Sequence, residues 1–235
     1  RLVGSEMCIR DRAYLFDGAT GGLLSILQGS SPGDQVGSGN AVELTNGNYV
    51  LSSPLWDNPT TLATDVGAVT WGSGTLGVSG VVSSSNSLIG ATSGDQVGLK
   101  GVRPAVVPLQ NGNYVVNSPF WDNLSAIDAG AVTLADGLGG TVGEVLPANS
   151  LVGTTAGDGA PGALAFGEAQ FVVAQQGGSN YLVVRPLWDS SLASDVGAAT
   201  LVDGFTGLPV LGGAEVSVLN SLIGSSSNDK VGQFY

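Results

Sequence analysis

The run Asn111-Gly112-Asn113-Tyr114-Val115-Val116-Asn117-Ser118-Pro119-Phe120-Trp121-Asp122-Asn123 decides the fold. Asn-Gly is a strong signal for a tight hairpin, because both central positions of a type I′ turn need positive φ. The Tyr-Val-Val that follows is continuous rather than alternating, the pattern of an inner strand buried on both faces. Pro119 stops that strand, since proline has no N–H to give an interior ladder. The same order of elements occurs earlier as Asn46-Gly47-Asn48-Tyr49-Val50 with Pro54-Leu55-Trp56-Asp57. It occurs again, more loosely, as Ser179-Asn180-Tyr181-Leu182-Val183 with Pro186-Leu187-Trp188-Asp189.

Outward from these runs the self-similarity continues on both sides. An Asp-x-Gly-Ala element follows at 65–68, 128–131 and 195–198, and Asn-Ser-Leu closes each unit at 86–88, 149–151 and 220–222. Gly-Asp-Gln-Val-Gly opens units at 33–37 and 94–98, with looser forms at Gly157-Asp158 and at 228–232. The repeated tryptophans stand 65 and 67 residues apart. Four β-prone runs lie between turn signals in each unit; in the second they are 105–109, 114–118, 129–134 and 143–152. The spacing therefore predicts an all-β chain: a β-propeller-type array of about three four-stranded blades, partial and open. A β-solenoid is the alternative, but no sub-period near about 20 residues marks its coils. The boundaries read as the tail of a preceding repeat at 13–32, repeats at 33–93, 94–156 and 157–224, and the start of a further repeat at 225–235.

The first twelve residues differ from the rest: they hold three of the seven cations, the single Cys (Cys8) and the single Met (Met7). The stretch Glu6-Met7-Cys8-Ile9-Arg10-Asp11-Arg12 resembles the translation of a transposase mosaic end used in DNA library preparation. Residues 1–12 are accordingly read as a sequencing-adapter scar and set aside from the fold, a genuine N-terminal arm being the alternative. Without them four cations, Lys100, Arg103, Arg185 and Lys230, face seventeen acids, a net charge of −13. Such a balance repels nucleic acid and anionic membranes, and no apolar run reaches the roughly 18 residues of a membrane span. The remaining chain has neither Cys nor His, which removes thiol chemistry and the commonest general base.

On these residues the chain resembles the FG-GAP family, the blades of integrin-alpha-type β-propellers. Gly33-Asp34-Gln35-Val36-Gly37 and 94–98 are similar to the family's Gly-Asp-x-Phe-Gly, with Val for Phe; Val50-Leu51-Ser52-Ser53-Pro54 and 115–119 stand where its Gly-Ala-Pro strand ends. Gly67-Ala68-Val69, Gly130-Ala131-Val132 and the run 13–21 resemble its next strand. The Asn-Gly-Asn-Tyr-Val form is closer still to tandem repeats of large bacterial exoproteins of filamentous-haemagglutinin-like context. The resemblance implies blades, and in many FG-GAP members an Asp-rich calcium loop between the first two strands. Here that loop reads Asn46-Gly47-Asn48 and Asn111-Gly112-Asn113, without a carboxylate, so the calcium site is not carried over.

Three sets of residues are candidates for function. Trp56, Trp121 and Trp188 are either wedges packed between blades, each indole N–H bonded to a carbonyl, or a stacking surface for sugar. Asp34 and Asp95, with Asp158 and Asp229, are read as carboxylates closing their own turns, as are Asn46, Gly47, Asn111 and Gly112 in the hairpins. Asp57 with Asp65, Asp122 with Asp128, and Asp189 with Asp195 pair carboxylates in each unit; such a pair holds calcium if loop carbonyls complete the shell, or simply satisfies nearby amides. A glycosidase also uses two carboxylates, but a pair that recurs in every unit lacks the unique residues of an active site. The expectation is a non-catalytic repeat segment, without a required cofactor, of a large secreted or cell-surface bacterial protein, serving as spacer or adhesin. Its expected partners are neighbouring repeats and carbohydrate or host-surface protein. A calcium-dependent carbohydrate-binding module is the alternative, and a glycoside-acting enzyme fragment the third reading.

Overall fold

A computed structural model describes residues 11–101, 103–160, 169–213 and 215–233. Among them the chain is all β, with sixteen strands labelled here in chain order and arranged in four sheets. The first sheet joins β1 (Arg12–Phe16) and β2 (Leu23–Gln28) to a two-residue strand β6 (Gly80–Val81). The second holds β3 (Asn40–Glu43), β4 (Tyr49–Ser53), β5 (Ala68–Gly72) and β7 (Ser87–Ile89), with β11 (Gly143–Glu144) at its edge. β8 (Val106–Pro108), β9 (Tyr114–Ser118), β10 (Ala131–Ala135) and β12 (Ser150–Val152) make the third. β13 (Phe171–Ala174), β14 (Tyr181–Arg185), β15 (Ala198–Val202) and β16 (Ser221–Ile223) make the fourth. The open, blade-like array expected from the period is therefore the observed architecture.

The scar assigned to residues 1–12 lies outside the described residues up to position 10. Its last two residues are folded: Arg12 opens β1, and the Asp11 carbonyl accepts from the Gly29 amide at 2.8 Å, as Gly67 accepts from Gly90 at 3.2 Å.

One strand expectation is corrected. The run 143–152 is not a single fourth strand but two, split by a turn at 146–149. Its first half, β11, leaves its own sheet and pairs parallel with β7 of the preceding one, Gly143 opposite Leu88 and Glu144 opposite Ile89. β6 does the same one repeat earlier, pairing with β2. The first and second repeats thus each cover the open edge of the sheet before them, one way of protecting unpaired strand edges.

The Asn of Asn-Ser-Leu causes the split. Asn149 accepts from the Leu146 amide at 2.9 Å and donates Nδ2 to the Glu144 carbonyl at 2.9 Å, folding the chain back on itself. Asn86 and Asn220 repeat this, with donations to Val81 at 2.9 Å and Glu215 at 2.7 Å. The Ser hydroxyl donates to that Asn and accepts from a Thr on the neighbouring strand: Thr70–Ser87, Thr133–Ser150 and Thr200–Ser221 each lie 2.7 Å apart. The Leu of the first two copies, Leu88 and Leu151, is buried; Leu222 of the third is exposed.

Apolar cores lie between sheets rather than within one. Val50, Val69 and Leu88 of the second sheet share a cluster with Val106, Tyr114 and Val116 of the third sheet and with Trp121 in the loop after β9. Val115, Val132 and Leu151 then pack with Val172, Tyr181 and Val183 of the fourth sheet. Leu27 of the first sheet packs with Trp56, Ala68 and Ile89 of the second. An inner strand gives alternate residues to the sheets on either side, which is why Tyr114-Val115-Val116 reads as unbroken apolar sequence.

A buried hydroxyl left without its partner is costly, whereas removing both partners is nearly neutral. Thr70→Val alone is expected to lower stability by about 1–3 kcal/mol, and the Thr70→Val/Ser87→Ala double variant to lose less than the sum of the singles. Denaturant titration of the four-member mutant cycle checks this.

Candidate functional site

The acidic residues singled out in the sequence converge at the junctions between sheets. Asp95 is 1% exposed. One of its oxygens accepts from the Ala91 and Thr92 amides at 2.7 and 2.9 Å, just after β7. The other accepts from the Thr92 hydroxyl at 2.6 Å and from the Asp122 amide at 3.2 Å, in the Trp-Asp loop after β9. Asp122 in turn caps the Asp128 amide at 2.8 Å. Asp34 is tied to Ser30, Ser31 and Asp57, and Asp57 to Asp65, in the same way. Asp158, Asp189 and Asp195 form the third copy. Asp229 keeps only the local half, accepting from Ser225 and Ser226 at 2.8 Å each.

The pairs Asp57/Asp65, Asp122/Asp128 and Asp189/Asp195 are thus brought together, but each first carboxylate points at the backbone amide of the second residue. That second Asp has φ of +51 to +54° in all three copies, a left-handed conformation that this amide bond holds in place. Among the described residues no group of three or more carboxylates is arranged to hold a metal ion. The loop in which FG-GAP members hold calcium does not fit the ion either. Asn46 Nδ2 and Asn48 Nδ2 donate to the Gly137 carbonyl of the next repeat at 2.8 and 3.0 Å. Asn111 and Asn113 donate to Gly204 at 2.8 and 3.2 Å. The hairpin is an amide clamp between repeats.

Trp56 and Trp121 are 1% and 3% exposed, so neither presents the ring face that a sugar-stacking surface needs. Both are wedges between sheets, but with a correction: their indole N–H groups meet no hydrogen-bond partner. Trp188 is half-buried. The indole that does reach a carbonyl is Trp71, outside the repeated set, which donates to Gly137 at 3.0 Å and completes the clamp there.

Arg185 is the residue whose role the sequence left open. It stands where Ser53 and Ser118 stand in the other repeats, and is buried beside Asp158. Nη2 donates to the Leu151 carbonyl at 2.7 Å while Nε and Nη1 have no partner, and burial pushes its pKa down to about 10. The signal was its place directly before Pro186, where the other repeats have serine.

Burial lifts the carboxyls of Asp34, Asp65, Asp95, Asp128 and Asp158 above the ordinary value of 3.8, and nearby aspartates add to the rise at Asp34, Asp65 and Asp128. The folded chain therefore holds protons to higher pH than the unfolded chain, and stability falls as pH rises from 3.8 through those raised values. Asp17, Asp203 and Asp229 are lowered by backbone hydrogen bonds, and their opposite contribution lies below 3.8. The melting temperature is accordingly expected to be higher at about pH 4, close to the unfolded value, than at about pH 7.5; scanning calorimetry at both checks it. Asp95→Asn turns an NH2 donor toward amide donors and is expected to cost about 1.5–3 kcal/mol, with a much smaller loss for Asp229→Asn, read by denaturant midpoints.

The three copies also appear when the chain is compared with known families. Residues 43–99, 108–161 and 176–233 match the family described as "Repeat of unknown function (DUF5650)". No curated protein matches the chain. Each matched stretch runs from the hairpin through the Asp-x-Gly and Asn-Ser-Leu elements into or up to the following Gly-Asp turn, and together they take in most of the sequence. The chain belongs to the DUF5650 repeat family, of which it carries three tandem copies.

Proposed function

We propose that this chain is a non-catalytic scaffold segment, a stiff spacer of FG-GAP-like blades within a large exported or surface-attached protein. The observation that carries the reading is the use of the repeated polar residues. Asn46, Asn111, Asp34, Asp95 and Asp158 each commit a hydrogen bond to a backbone group that joins one repeat to the next. A catalytic or ligand-binding group is held free for its substrate; these are consumed by the junctions. The acidic surface, net charge −12 with few cations, suits a soluble, extended array and disfavours nucleic acid as partner. No helix among the described residues is long and apolar enough to cross a membrane. Adhesive contacts, to carbohydrate or surface protein, belong on this reading to the exposed loop ends around Leu62, Leu124 and Leu192, which are 82%, 94% and 95% exposed at the same place in each repeat.

A scaffold of shared cores melts as one unit, since no repeat keeps a core of its own. A single calorimetric transition is expected, unchanged by millimolar calcium or by chelator, together with no signal on a glycan array in either condition. A calcium-dependent rise in melting temperature, or chelator-sensitive glycan binding, would replace the scaffold by a calcium-dependent carbohydrate-binding module.

A further inference from the structure

Asn-Gly occurs at two places in the chain, Asn46-Gly47 and Asn111-Gly112, each in the loop of a clamping hairpin. This dipeptide is prone to deamidation, because glycine has no Cβ to shield its nitrogen from the preceding carboxamide. The glycine nitrogen, deprotonated by hydroxide, attacks the Asn Cγ. An N–Cγ bond forms, the Cγ–Nδ2 bond breaks, and ammonia leaves with a proton from water, which restores the hydroxide. Water then opens the succinimide ring at either carbonyl, giving aspartate or isoaspartate. Water is the only co-reactant, and nothing is oxidised or reduced.

The nitrogen that attacks and both heteroatoms of the carboxamide are engaged in the folded hairpins. The Gly47 and Gly112 amides donate to the Leu44 and Leu109 carbonyls at 3.0 and 3.2 Å. Asn46 Oδ1 and Asn111 Oδ1 accept from the Asn48 and Asn113 amides, at 3.1 Å in both. The two Nδ2 groups donate to Gly137 and Gly204 at 2.8 Å. The two sites are also coupled. Gly112 is buried, and Asn46 lies against it: a Cβ on Gly112 would have Asn46 Nδ2, Cβ and Cγ as its nearest neighbours, at 3.2, 3.6 and 3.7 Å. Asn46 Nδ2 is also 3.4 Å from the Gly112 carbonyl oxygen. The Gly137 turn that Asn46 grips holds the second hairpin in its turn, the Gly137 amide donating to Asn113 Oδ1 at 3.3 Å.

We infer that Asn46 and Asn111 are deamidation sites held unreactive by the clamp between repeats, and that reaction at Asn46 releases Asn111 to react in its turn. A product carboxylate at position 46 has no N–H to offer the Gly112 and Gly137 carbonyls, so two attractive contacts become contacts between negative oxygens. Isoaspartate also adds a methylene to the backbone of a short hairpin loop. The clamp does not re-form after either product, and the Gly137 turn loosens its hold on the hairpin at 109–113. The third repeat has Gly178-Ser179-Asn180 at this place and offers no Asn-Gly. The inference depends on the clamp and not on the scaffold reading.

The test is deamidation of the full chain in mildly alkaline buffer, followed site by site by tandem mass spectrometry of tryptic peptides; cleavage at Lys100 puts Asn46 and Asn111 on separate pieces. A reaction that needs local opening is slowed by the small fraction of time the segment spends open. Both sites are expected to react roughly ten-fold or more slowly in the folded chain than in urea. Asn46→Asp, which mimics the product, is expected to speed reaction at Asn111 several-fold in the folded chain, with no change at Asn220 of the third repeat. Asn46→Ala, which removes the amide without adding charge, is expected to act in the same direction. Equal rates with and without urea overturn the protection by the clamp. A rate at Asn111 that neither variant changes overturns the coupling, as does a rise shared by Asn220, the mark of general unfolding. None of these outcomes alters the calcium and glycan readouts, so the scaffold reading stands or falls separately.

Discussion

Three buried carboxylates, Asp34, Asp95 and Asp158, hold this array together. Asp34 and Asp95 are 0% and 1% exposed, and their charge is met almost wholly by backbone amides and a hydroxyl. A buried charge is tolerable only while every such donor stays in place. The carboxylate therefore fixes two loops at once, the exit of one sheet's last strand and the Trp-Asp loop of the next. With those loops fixed, the relative placement of consecutive sheets follows, and with it the cores they share. The same dependence explains the glycines beside it. A Cβ on Gly67 would fall 2.3 Å from the Val97 amide nitrogen, and Gly67 adopts φ +75° as well. The Asp-x-Gly signature exists because the following Gly-Asp-Gln-Val backbone lies directly upon it, bonded Gln96 to Asp65 and Val97 to Val66.

Much of this was legible in the sequence, for a physical reason. Period, hairpin and strand end are set by local backbone chemistry, so Asn-Gly, the Tyr-Val-Val run and Pro119 placed β9 at its observed bounds. Sheet crossing was not legible. Gly143-Glu144-Val145 has the same β-prone character whether it pairs with its own repeat or its neighbour's, and only the position of β7 in space decides between them. The hairpin asparagines were read as turn residues, which they are, but the turn is not the expected type I′: of each Asn-Gly pair only Gly47 and Gly112 have positive φ, +83° and +90°, in a three-residue loop closed by Leu44 with Asn48 and Leu109 with Asn113. That the asparagine amides reach across to Gly137 and Gly204 depends on a sheet stacking that no local pattern encodes. The unbonded indoles of Trp56 and Trp121 belong to the same class, since partners for a buried donor are set by packing rather than by the residues next to it.

The third repeat shows what happens when the pattern relaxes. It receives a clamp from Asn111 and Asn113 but carries Gly178 where they have their first asparagine, leaving Asn180 to bond the Gly204 amide within its own repeat at 3.4 Å. Arg185 has entered the same repeat at a serine position. Its guanidinium lies beside Asp158, so that junction sets a cation against the buried carboxylate. The geometry of the acidic relay is nevertheless kept, with Asp158 to Asp189 at 3.1 Å and Asp189 to Asp195 at 2.7 Å, against 3.2 and 2.8 Å in both other copies. The hairpin varies and the relay does not. Joining consecutive sheets is thus the constraint that the carboxylates satisfy, while the hairpin clamp is the adjustable part, the element by which one repeat can be made to grip the next more or less firmly.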